Sequence, residues 1–435
     1  MLSWAAAFQL RQHFRQSLWA VPLLGAVAGG ALAVVDLRIE GHITLPRAWS
    51  YSESTASSVL TTVSGAMIGL LGLVVTVGVL VVQMATGTLS PRFMRLWYRD
   101  RLQKLVLAAF TATFAFSFAL LREVGPGSVP DLGVTLAGLA VSVDLVLLLL
   151  YLDRFVHALR PVAVAAAVAR SGLAVLAQAD EAEPAVRGPD RRSGEVRGQG
   201  VSLHSTRSGA IQALHARGIV ALAAKHDLIC VVRCTVGDFV NVGGVMMDVY
   251  GAPSPRDLRR LRGMVALGHE RTIDQDPAFA VRIIVDIAIR ALSPAVNDPT
   301  TATQMINHLG ALLAGVGSRA QSEHGTFVDA DGYLRLAVPT RSWDDYLDLG
   351  VSEIRQYGRR SPQTCRRLRA MLMDFEDVVL PAHRPAVRRH LEALDEMVRL
   401  SFGDGHDLRF ALMQDRQGVG GPSRAPAAIH RSGRA

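Results

Sequence analysis

The chain has 435 residues, half of them hydrophobic, and its formal net charge is +8. The apolar residues are concentrated in residues 18–152, whereas the remainder has the composition of an ordinary soluble domain. Nearly all of the basic residues are arginines, and they are scattered along the chain without a stripe interleaved with aromatic residues. A nucleic-acid partner is therefore not expected, despite the positive charge.

Four apolar segments are long enough, or nearly so, to cross a bilayer. They are residues 18–35, 59–85, 105–121 and 132–152. The third is at the lower limit of length, and the second exceeds a hydrocarbon core of ~30 Å and must tilt or project from it. We therefore predict a transmembrane region of four helices, preceded by an N-terminal stretch at residues 1–17.

The charges that flank these segments predict their orientation. Ten basic residues lie before the first segment, after the second or after the fourth, and three lie in the two other loops. The ten are Arg11, Arg15, Arg92, Arg95, Arg99, Arg101, Lys104, Arg154, Arg160 and Arg170, and the three are Arg38, Arg47 and Arg122. Because the side rich in arginine and lysine stays in the cytoplasm, residues 1–17 and the C-terminal domain are both predicted to be cytoplasmic.

The first segment has a second interpretation. Arg11 and Arg15 precede an apolar stretch that contains the small residues Ala31 and Ala33, which is the pattern of a secretory signal peptide. The apolar run is rather long for such a peptide, so a retained membrane helix is preferred. Cleavage would leave the orientation of the other three segments unchanged.

The second segment is rich in small residues. Gly65 and Gly69 form a GxxxG pair, and Gly72 follows about one turn later. Glycines at this spacing allow two helix backbones to approach closely. The pattern indicates either tight packing within one subunit or an interface between subunits, in which case this helix could line a pore.

Asp144 lies in the middle of the fourth segment. An ionised carboxylate at this depth costs roughly 2.5–3.5 kcal/mol or more, and no arginine, lysine or histidine lies at comparable depth on another segment. We therefore expect Asp144 to be protonated, to be hydrogen-bonded to a hydroxyl such as that of Thr76 or Thr113, or to face a water-filled path. It is the candidate functional residue of the membrane region.

The C-terminal half is predicted to be an α+β cytoplasmic domain. Residues 178–200 are charged and rich in glycine and proline, which predicts a disordered linker. Residues 201–252 are predicted to form a small β-rich, barrel-like unit, with strands at 201–205, 228–235 and 245–250. Its turn, GDFVNVGG, is typical of lipoyl-type barrels, but the lysine that such a domain would modify is absent, so a carrier role is not expected.

The three cysteines, Cys230, Cys234 and Cys365, indicate no disulfide framework. Cys230 and Cys234 lie close to His226, but the segment has the alternation of a strand, and four residues of strand span about 13 Å. Two thiols at that distance cannot share a zinc ion. We therefore expect buried structural thiols, and neither a metal nor another cofactor.

Residues 253–403 are predicted to be mainly helical, and residues 416–435 to be a disordered basic tail. Two helices begin with an Asp-Pro pair, at Asp276 and at Asp298. Polar residues around these starts could line one pocket that suits an anion. They are Glu270, Arg271, Asp274, Asp276, Asn297, Asp298, Thr300 and Thr301. The alternative is that both aspartates are caps and that Arg271 pairs with a neighbouring acid.

Two long stretches resemble one known family. Residues 61–121 contain TTVSGAMIGLLGLVVTVGVLVVQMATGTLSPRFMRLWYRD, with Gln83 and Ser90-Pro91-Arg92, and residues 269–302 read HERTIDQDPAFAVRIIVDIAIRALSPAVNDPTTA. Together with the GDFV turn, they are similar to the bacterial DUF2254 family of predicted membrane proteins over most of residues 18–402. The resemblance implies a bacterial inner (plasma) membrane location and four spans, and it implies no activity.

Three classes of function follow from these patterns. An enzyme is least expected, because the phosphate-binding loop and the GxSxG, HExxH and CxxC motifs are absent. The glycines and the acid of the membrane region favour a homo-oligomeric channel or transport-related protein that its cytoplasmic domain controls. Its partners would be the lipid bilayer and other copies of the chain. The alternative is a membrane-anchored sensor or scaffold whose cytoplasmic domain binds a ligand or a protein.

Overall fold

The structure is a computed structural model that describes residues 3–40, 50–88, 100–126, 128–158, 160–181, 200–320 and 324–421. It divides into two compact units. Residues Leu10–Ala163 form the helical unit, and Met1–Gln9 together with Val164–Ala435 form the α+β unit. Most of the predicted linker and most of the predicted basic tail lie outside the described residues.

The helical unit consists of long apolar helices, since only a helix satisfies every backbone hydrogen bond within such a segment. They are α2 (Ala20–Glu40), α3 (Glu53–Thr88), α4 (Arg101–Leu121) and α5 (Asp131–Ala158), and α1 (Trp4–Gln16) precedes them. Each of α2 to α5 contains most of one predicted segment. The side chain of Asp100 caps α4 by accepting a hydrogen bond from the backbone N–H of Leu102 at 2.8 Å.

Among the residues that the structure describes, five helices, rather than the predicted four, are long and apolar enough to cross a membrane. The additional one is α6 (Pro161–Glu181), which carries Arg170 and lies almost entirely in the α+β unit. Its Gly172 packs so closely on two helices of that unit that an added Cβ would lie 2.9 Å from side-chain atoms of Ala280 and Leu312. Length and composition alone therefore do not set the number of spans.

Helices α2 and α4 approach each other closely. Gly25 and Gly29 of α2 lie against the backbone of Ala108 and Ala112 of α4, where an added Cβ would overlap a carbonyl oxygen. Small residues four apart on both helices allow this approach. The glycine-mediated packing within the subunit is thus on α2 and not on the predicted GxxxG pair of α3.

The α+β unit contains two sheets. The five-stranded sheet has the order β1 (Val201–His204), β5 (Val245–Tyr250), β3 (Ile229–Val232), β8 (Leu334–Pro339), β7 (His324–Val328). The three-stranded sheet has the order β4 (Phe239–Val240), β2 (Gly209–Leu214), β6 (Val265–Gly268). Neighbouring strands are antiparallel except β3 and β8, which are parallel.

These sheets change the predicted division of the C-terminal half. Strands β6, β7 and β8 come from residues 253–403, which were predicted to be mainly helical. Strands β6 and β8 pair with β2 and β3 of residues 201–252, and β7 pairs with β8. A separate barrel-like unit is therefore not confirmed. Leu203, Met247 and Leu336 share one core, although more than a hundred residues separate the first from the last. A parallel pair needs a long crossover connection, so local patterns do not reveal which strands pair.

Helices make up the rest of the α+β unit. They are α7 (Ala216–Lys225), α8 (Pro255–Arg262), α9 (Pro277–Ala291), α10 (Pro299–Gly317), α11 (Trp343–Tyr357), α12 (Pro362–Val378), α13 (Arg384–Phe402) and α14 (His406–Ala411). Capping boxes at Ser254 and Ser342 start α8 and α11. Helix α9 is buried on most of its surface and packs against both α10 and α11, so it forms the centre of this helical layer.

Candidate functional site

The polar residues predicted to line one cytoplasmic pocket lie at opposite ends of α9. Asp276 caps the start of α9, and Asp298 caps α10, which begins after α9 has ended. Because α9 has 15 residues, its two ends are about 22 Å apart. The two groups of polar residues therefore do not form one pocket.

Asp276 and Arg271 form a buried ion pair at the start of α9. Asp276 is 3% exposed, and its Oδ2 accepts a hydrogen bond from Nη2 of Arg271 at 2.6 Å. Its Oδ1 accepts from the backbone N–H of Phe279 at 3.2 Å, and the Arg271 guanidinium lies 5.6 Å from the Phe279 ring centroid. Burial raises the pKa of Asp276, and the charge of Arg271 opposes that rise. These are the contacts of a helix cap with its counter-ion.

The second group makes the contacts of a turn. Asp298 accepts hydrogen bonds from the backbone N–H and the hydroxyl of Thr301, at 3.0 and 2.5 Å. Asn297 has a φ of 48°, a left-handed conformation that asparagine tolerates well. Thr300 is exposed, Asp274 lies in the loop before α9, and the backbone carbonyl of Glu270 accepts from Gln212 at 2.8 Å. Both groups of polar residues therefore make local structural contacts.

Asp144 is buried in the helical unit, with 2% of its surface exposed. Its carboxyl group is hydrogen-bonded to the side chain of Thr113 on α4, whereas its Oδ2 has no hydrogen-bond partner among the described residues. The other predicted partner, Thr76, donates its hydroxyl hydrogen to the backbone carbonyl of Gly72 at 2.8 Å. The carboxyl group of Asp144 is thus only partly satisfied.

A second buried carboxyl group, that of Asp36, was missed in the sequence. Asp36 is 5% exposed, and neither of its carboxyl oxygens has a hydrogen-bond partner in the described part of the chain. It packs on α5 at Gly133, where a Cβ would overlap its Oδ2. Its position in the sequence could have indicated it. Asp36 directly follows the predicted end of the first segment at residue 35, and α2 continues past it to Glu40.

Asp36 lines a cavity of about 330 Å³ that reaches Ala140 on α5. Its polar lining side chains are Asp36 and Thr113, and Thr113 is also the partner of Asp144. The remaining lining residues are Gly29, Leu32, Val35, Ile39, Ala112, Phe116, Leu132, Leu136 and Ala140. Since Ala140 lies one helical turn before Asp144 on α5, the cavity extends from Asp36 to the turn beside Asp144.

Further buried polar atoms in the helical unit have no hydrogen-bond partner among the residues that the structure describes. They belong to Ser64 on α3, Gln103 and Ser117 on α4, and Tyr151 on α5. With Asp36, Thr113 and Asp144 they form what we call the polar track. Gln103 and Ser117 are 14 residues apart on α4, or about 21 Å along its axis. Buried polar groups without a protein partner are usually satisfied by water, so the polar track has the composition of a hydrated path.

Helix α3 has a buried face that is mostly apolar and an exposed surface on which a stripe of small residues is flanked by large apolar side chains such as Ile68 and Val75. The buried side chains include Leu60, Met67, Val74 and Val81. The exposed residues include Thr62, Gly65, Gly69, Gly72 and Thr76. A Cβ added to any of the three glycines would meet nothing within 4 Å. The predicted interface glycines are therefore open within the subunit.

Comparison with known proteins gives a consistent assignment. A model of the DUF2254 family, described as predicted membrane proteins, matches residues 15–374. Uncharacterised proteins of Mycobacterium bovis and Mycobacterium tuberculosis are 29% identical to the chain, over 97% of its length and 82% of theirs. No solved structure matches the chain. The helical unit, the apolar helices and this match together show that the chain belongs to the DUF2254 family of predicted membrane proteins.

Proposed function

We propose that this protein is a homo-oligomeric channel or transport-related protein that moves protons or small monovalent cations along the polar track. The observation that carries the proposal is the pair of buried carboxyl groups: Asp36 lines a cavity, and Asp144 is hydrogen-bonded to Thr113, which lines the same cavity. Both oxygens of Asp36, and Oδ2 of Asp144, have no hydrogen-bond partner among the described residues. Unpaired acids of this kind within membrane helices mark ion pathways and proton relays.

The energetic cost of these acids argues against a simple anchor. Each ionised carboxylate costs several kcal/mol in hydrocarbon unless a proton, a cation or water satisfies it. An anchoring helix gains nothing from such a residue, and a leucine at either position would stabilise it. A hydrated path gives both carboxyl groups a role.

The separation of Asp36 and Asp144 along the axis of α5 is about half the thickness of a hydrocarbon core. Asp36 packs on Gly133, and Asp144 follows eleven residues later on the same helix, which is about 16 Å along the axis. A hydrocarbon core is ~30 Å thick. The cavity and Thr113 would therefore lead from the Asp36 side to about the middle, and Tyr151 lies two turns further along α5.

The topology that we propose has four spans, α2 to α5, in the bacterial inner membrane, with the N-terminus and the α+β unit in the cytoplasm. The distribution of basic residues supports this orientation. Helix α6 is proposed to be part of the cytoplasmic domain, because its Gly172 packs against residues of α9 and α10 and because Arg170 interrupts its apolar sequence.

The exposed face of α3 supports the oligomer. A face that contacts only lipid is expected to carry large apolar side chains, whereas Gly65, Gly69 and Gly72 form an open groove between Thr62 and Thr76. Small residues at this spacing suit close contact with a helix of another subunit. The α+β unit would then control conduction from the cytoplasmic side.

The experiment is a flux assay on purified protein in liposomes, with proton and potassium gradients tested separately. The variants are Asp144→Asn and Asp36→Asn, and the control is Asp153→Asn, which removes an exposed carboxyl from the same helix as Asp144. We expect flux in the wild type, a fall of about tenfold or more in the first two variants, corresponding to ~1.4 kcal/mol or more in the barrier, and little change in the control.

Absence of flux from a folded oligomer, with both ions and at several voltages, would contradict the proposal. The alternative function, a membrane-anchored sensor or scaffold, would then be favoured. In that case Asp36 and Asp144 would be groups that shape the packing of the helices.

A further inference from the structure

A basic cavity in the α+β unit lies outside the polar track and outside the predicted cytoplasmic pocket. Its volume is about 780 Å³, which is within the range of ligand sites. Its charged lining residues are Lys225 at the end of α7 and Arg256, Arg259 and Arg260 on α8. No aspartate or glutamate is among the described lining residues.

The N-terminal residues form one wall of this cavity. Ser3 and Trp4 line it, and the backbone N–H of Ala5 donates to the carbonyl oxygen of Gly263 at 2.8 Å. The Trp4 ring is stacked on His215, with centroids 4.8 Å apart and an angle of 4° between the planes. The cavity is thus lined by the N-terminal residues together with α7 and α8, which are distant from them in the sequence.

Helix capping does not explain the whole set of cations. Basic residues in the last turn of a helix stabilise its negative end, which accounts for Lys225, Arg259 and Arg260. Arg256 lies in the first turn of α8, where a positive charge opposes the helix dipole. All four cations are exposed, and an anion bound between them would offset the repulsion of their charges.

The acid on α8 serves a different purpose. Asp257 is 3% exposed, and its Oδ2 accepts hydrogen bonds from the hydroxyl and backbone N–H of Ser254, at 2.6 and 3.1 Å. Those bonds, together with the charges of His226 and Arg260, hold the pKa of Asp257 below its usual range. This single carboxylate is engaged in the capping box and does not line the cavity.

The positive surface continues beyond the first cavity. A neighbouring cavity of about 470 Å³ shares Arg259 and Gly263 with it and adds Arg207 and Arg262. Both of these arginines donate to backbone carbonyls, Arg207 to Leu267 at 2.9 Å and Arg262 to His204 at 3.1 Å. Arg259 therefore lies at the centre of a continuous basic surface.

We infer that the first cavity binds a phosphate-bearing anion. Guanidinium groups match phosphate oxygens in a bidentate geometry, and three of them with a lysine suit a group that carries two or more negative charges. The anion could belong to a soluble phosphorylated molecule or to a lipid headgroup. The inference does not depend on conduction through the helical unit.

The first experiment is calorimetric titration of the full-length protein in neutral detergent with pyrophosphate as the probe. The cavity variant is Arg256→Glu with Arg260→Glu. The matched control is Arg359→Glu with Arg360→Glu, which changes the net charge equally at two exposed arginines outside the cavity. We expect binding by the wild type, weakened about tenfold or more in the cavity variant and within about twofold of wild type in the control.

The second experiment distinguishes the source of the phosphate. Native mass spectrometry would measure retention of phosphatidylglycerol relative to phosphatidylcholine by the wild type and by both double variants. Selective loss of phosphatidylglycerol from the cavity variant supports a headgroup, and pyrophosphate binding without lipid preference supports a soluble ligand. If the charge reversals do not fold, Arg256→Gln with Arg260→Gln should show a smaller loss in the same direction. Binding of neither probe, or equal losses in the cavity and control variants, would overturn the inference.

Discussion

Buried carboxyl groups have different environments in the two units. In the α+β unit, Asp248 accepts a hydrogen bond from the Ser202 hydroxyl at 2.7 Å and one from Nε of Arg233 at 2.5 Å. These partners offset the cost of burying its charge. Asp36 in the helical unit has no such partner among the described residues. The contrast supports a structural role for Asp248 and a functional role for Asp36.

The substitution Asp248→Asn tests this account of a satisfied buried acid. The Ser202 hydrogen bond and the Arg233 guanidinium hold the pKa of Asp248 below its usual value of 3.8. A carboxyl group whose pKa is lower in the folded state than in the unfolded state stabilises the fold above the usual pKa. This contribution is lost as the pH falls through the folded-state pKa. We expect Asp248→Asn to lower the free energy of unfolding by ~1 kcal/mol near neutral pH, and the difference from wild type to shrink below about pH 3.8.

Urea denaturation of the full-length protein in detergent, at a series of pH values, measures this difference. Asp344→Asn is the control, because Asp344 pairs with Arg389 at the surface, where 56% of the Asp344 side chain is exposed. Exposed ion pairs contribute little to stability. A difference for Asp248→Asn that is constant with pH would show that the stabilisation does not depend on the ionised carboxylate.

Two helices use glycine in opposite ways. On α2, Gly25 and Gly29 are required because the backbone of α4 occupies the space of a side chain. On α3, Gly65, Gly69 and Gly72 have open space around them within the subunit. The first arrangement holds the helical unit together. The second leaves a groove that, in our proposal, another copy of the chain fills.

Substitution by leucine separates these two roles. Gly29→Leu overlaps Ala112, so we expect loss of the folded subunit, since overpacking costs roughly 1–3 kcal/mol or more. A Cβ added at Gly69 meets no described atom of its own subunit within 4 Å, so we expect Gly69→Leu to give a folded protein whose detergent-solubilised mass falls from oligomer to monomer. Light scattering coupled to size-exclusion chromatography measures the mass.

Gly30→Leu is the matched control for the α3 substitution. Gly30 also has open space around it, but it lies on α2 outside the small-residue face of α3. Its substitution should leave the mass of the oligomer unchanged. If Gly69→Leu also retains the wild-type mass, the α3 face is not the contact between subunits.

At the scale of the whole molecule, the topology depends on whether α6 crosses the membrane. Four spans return the chain to the side on which it began, and a fifth would place the α+β unit on the opposite side. The packing of Gly172 on Ala280 and Leu312 favours the first arrangement. The distribution of basic residues favours it independently.

Labelling of single cysteines with a membrane-impermeant maleimide tests this topology. In a background where Cys234, the partly buried native thiol, is replaced by serine, we expect Glu123→Cys to be labelled in intact cells. Arg359→Cys should be labelled only after the cells are permeabilised, because it lies in the α+β unit. Labelling of Arg359→Cys in intact cells would contradict the four-span topology.

Much of the local structure could be predicted because it depends on neighbours along the chain. A long apolar run must be a helix, since its backbone hydrogen bonds close within the segment. The Asp-Pro pairs at Asp276 and Asp298 start α9 and α10, because the cap and the proline each act within one turn. The partner of Asp144 was not fixed in this way: the sequence left Thr76 and Thr113 as alternatives, and the structure pairs Asp144 with Thr113.

Only one of the two acids of the candidate site could be identified from the sequence. Asp144 is conspicuous because apolar residues surround it, whereas Asp36 lies at the end of its apolar run and has the position of a loop residue. Its burial comes from Gly133 on α5, almost a hundred residues away. The cavity that Asp36 lines is formed by residues of three helices, α2, α4 and α5. No single segment of the sequence therefore indicates that the cavity exists.

The sequence by itself determined the apolar helices, the Asp-Pro caps of α9 and α10 and the membership of a membrane-protein family, because these depend on residues close together in the chain. Only the tertiary structure decided that β3 pairs with β8, that the two Asp-Pro helix starts are separated by the length of α9, and that Asp36 lines one cavity with Thr113, the partner of Asp144. The physical reason is the same in each case. These features arise from contacts between distant segments, and the free energy of such contacts depends on how the helices and strands pack rather than on any local periodicity.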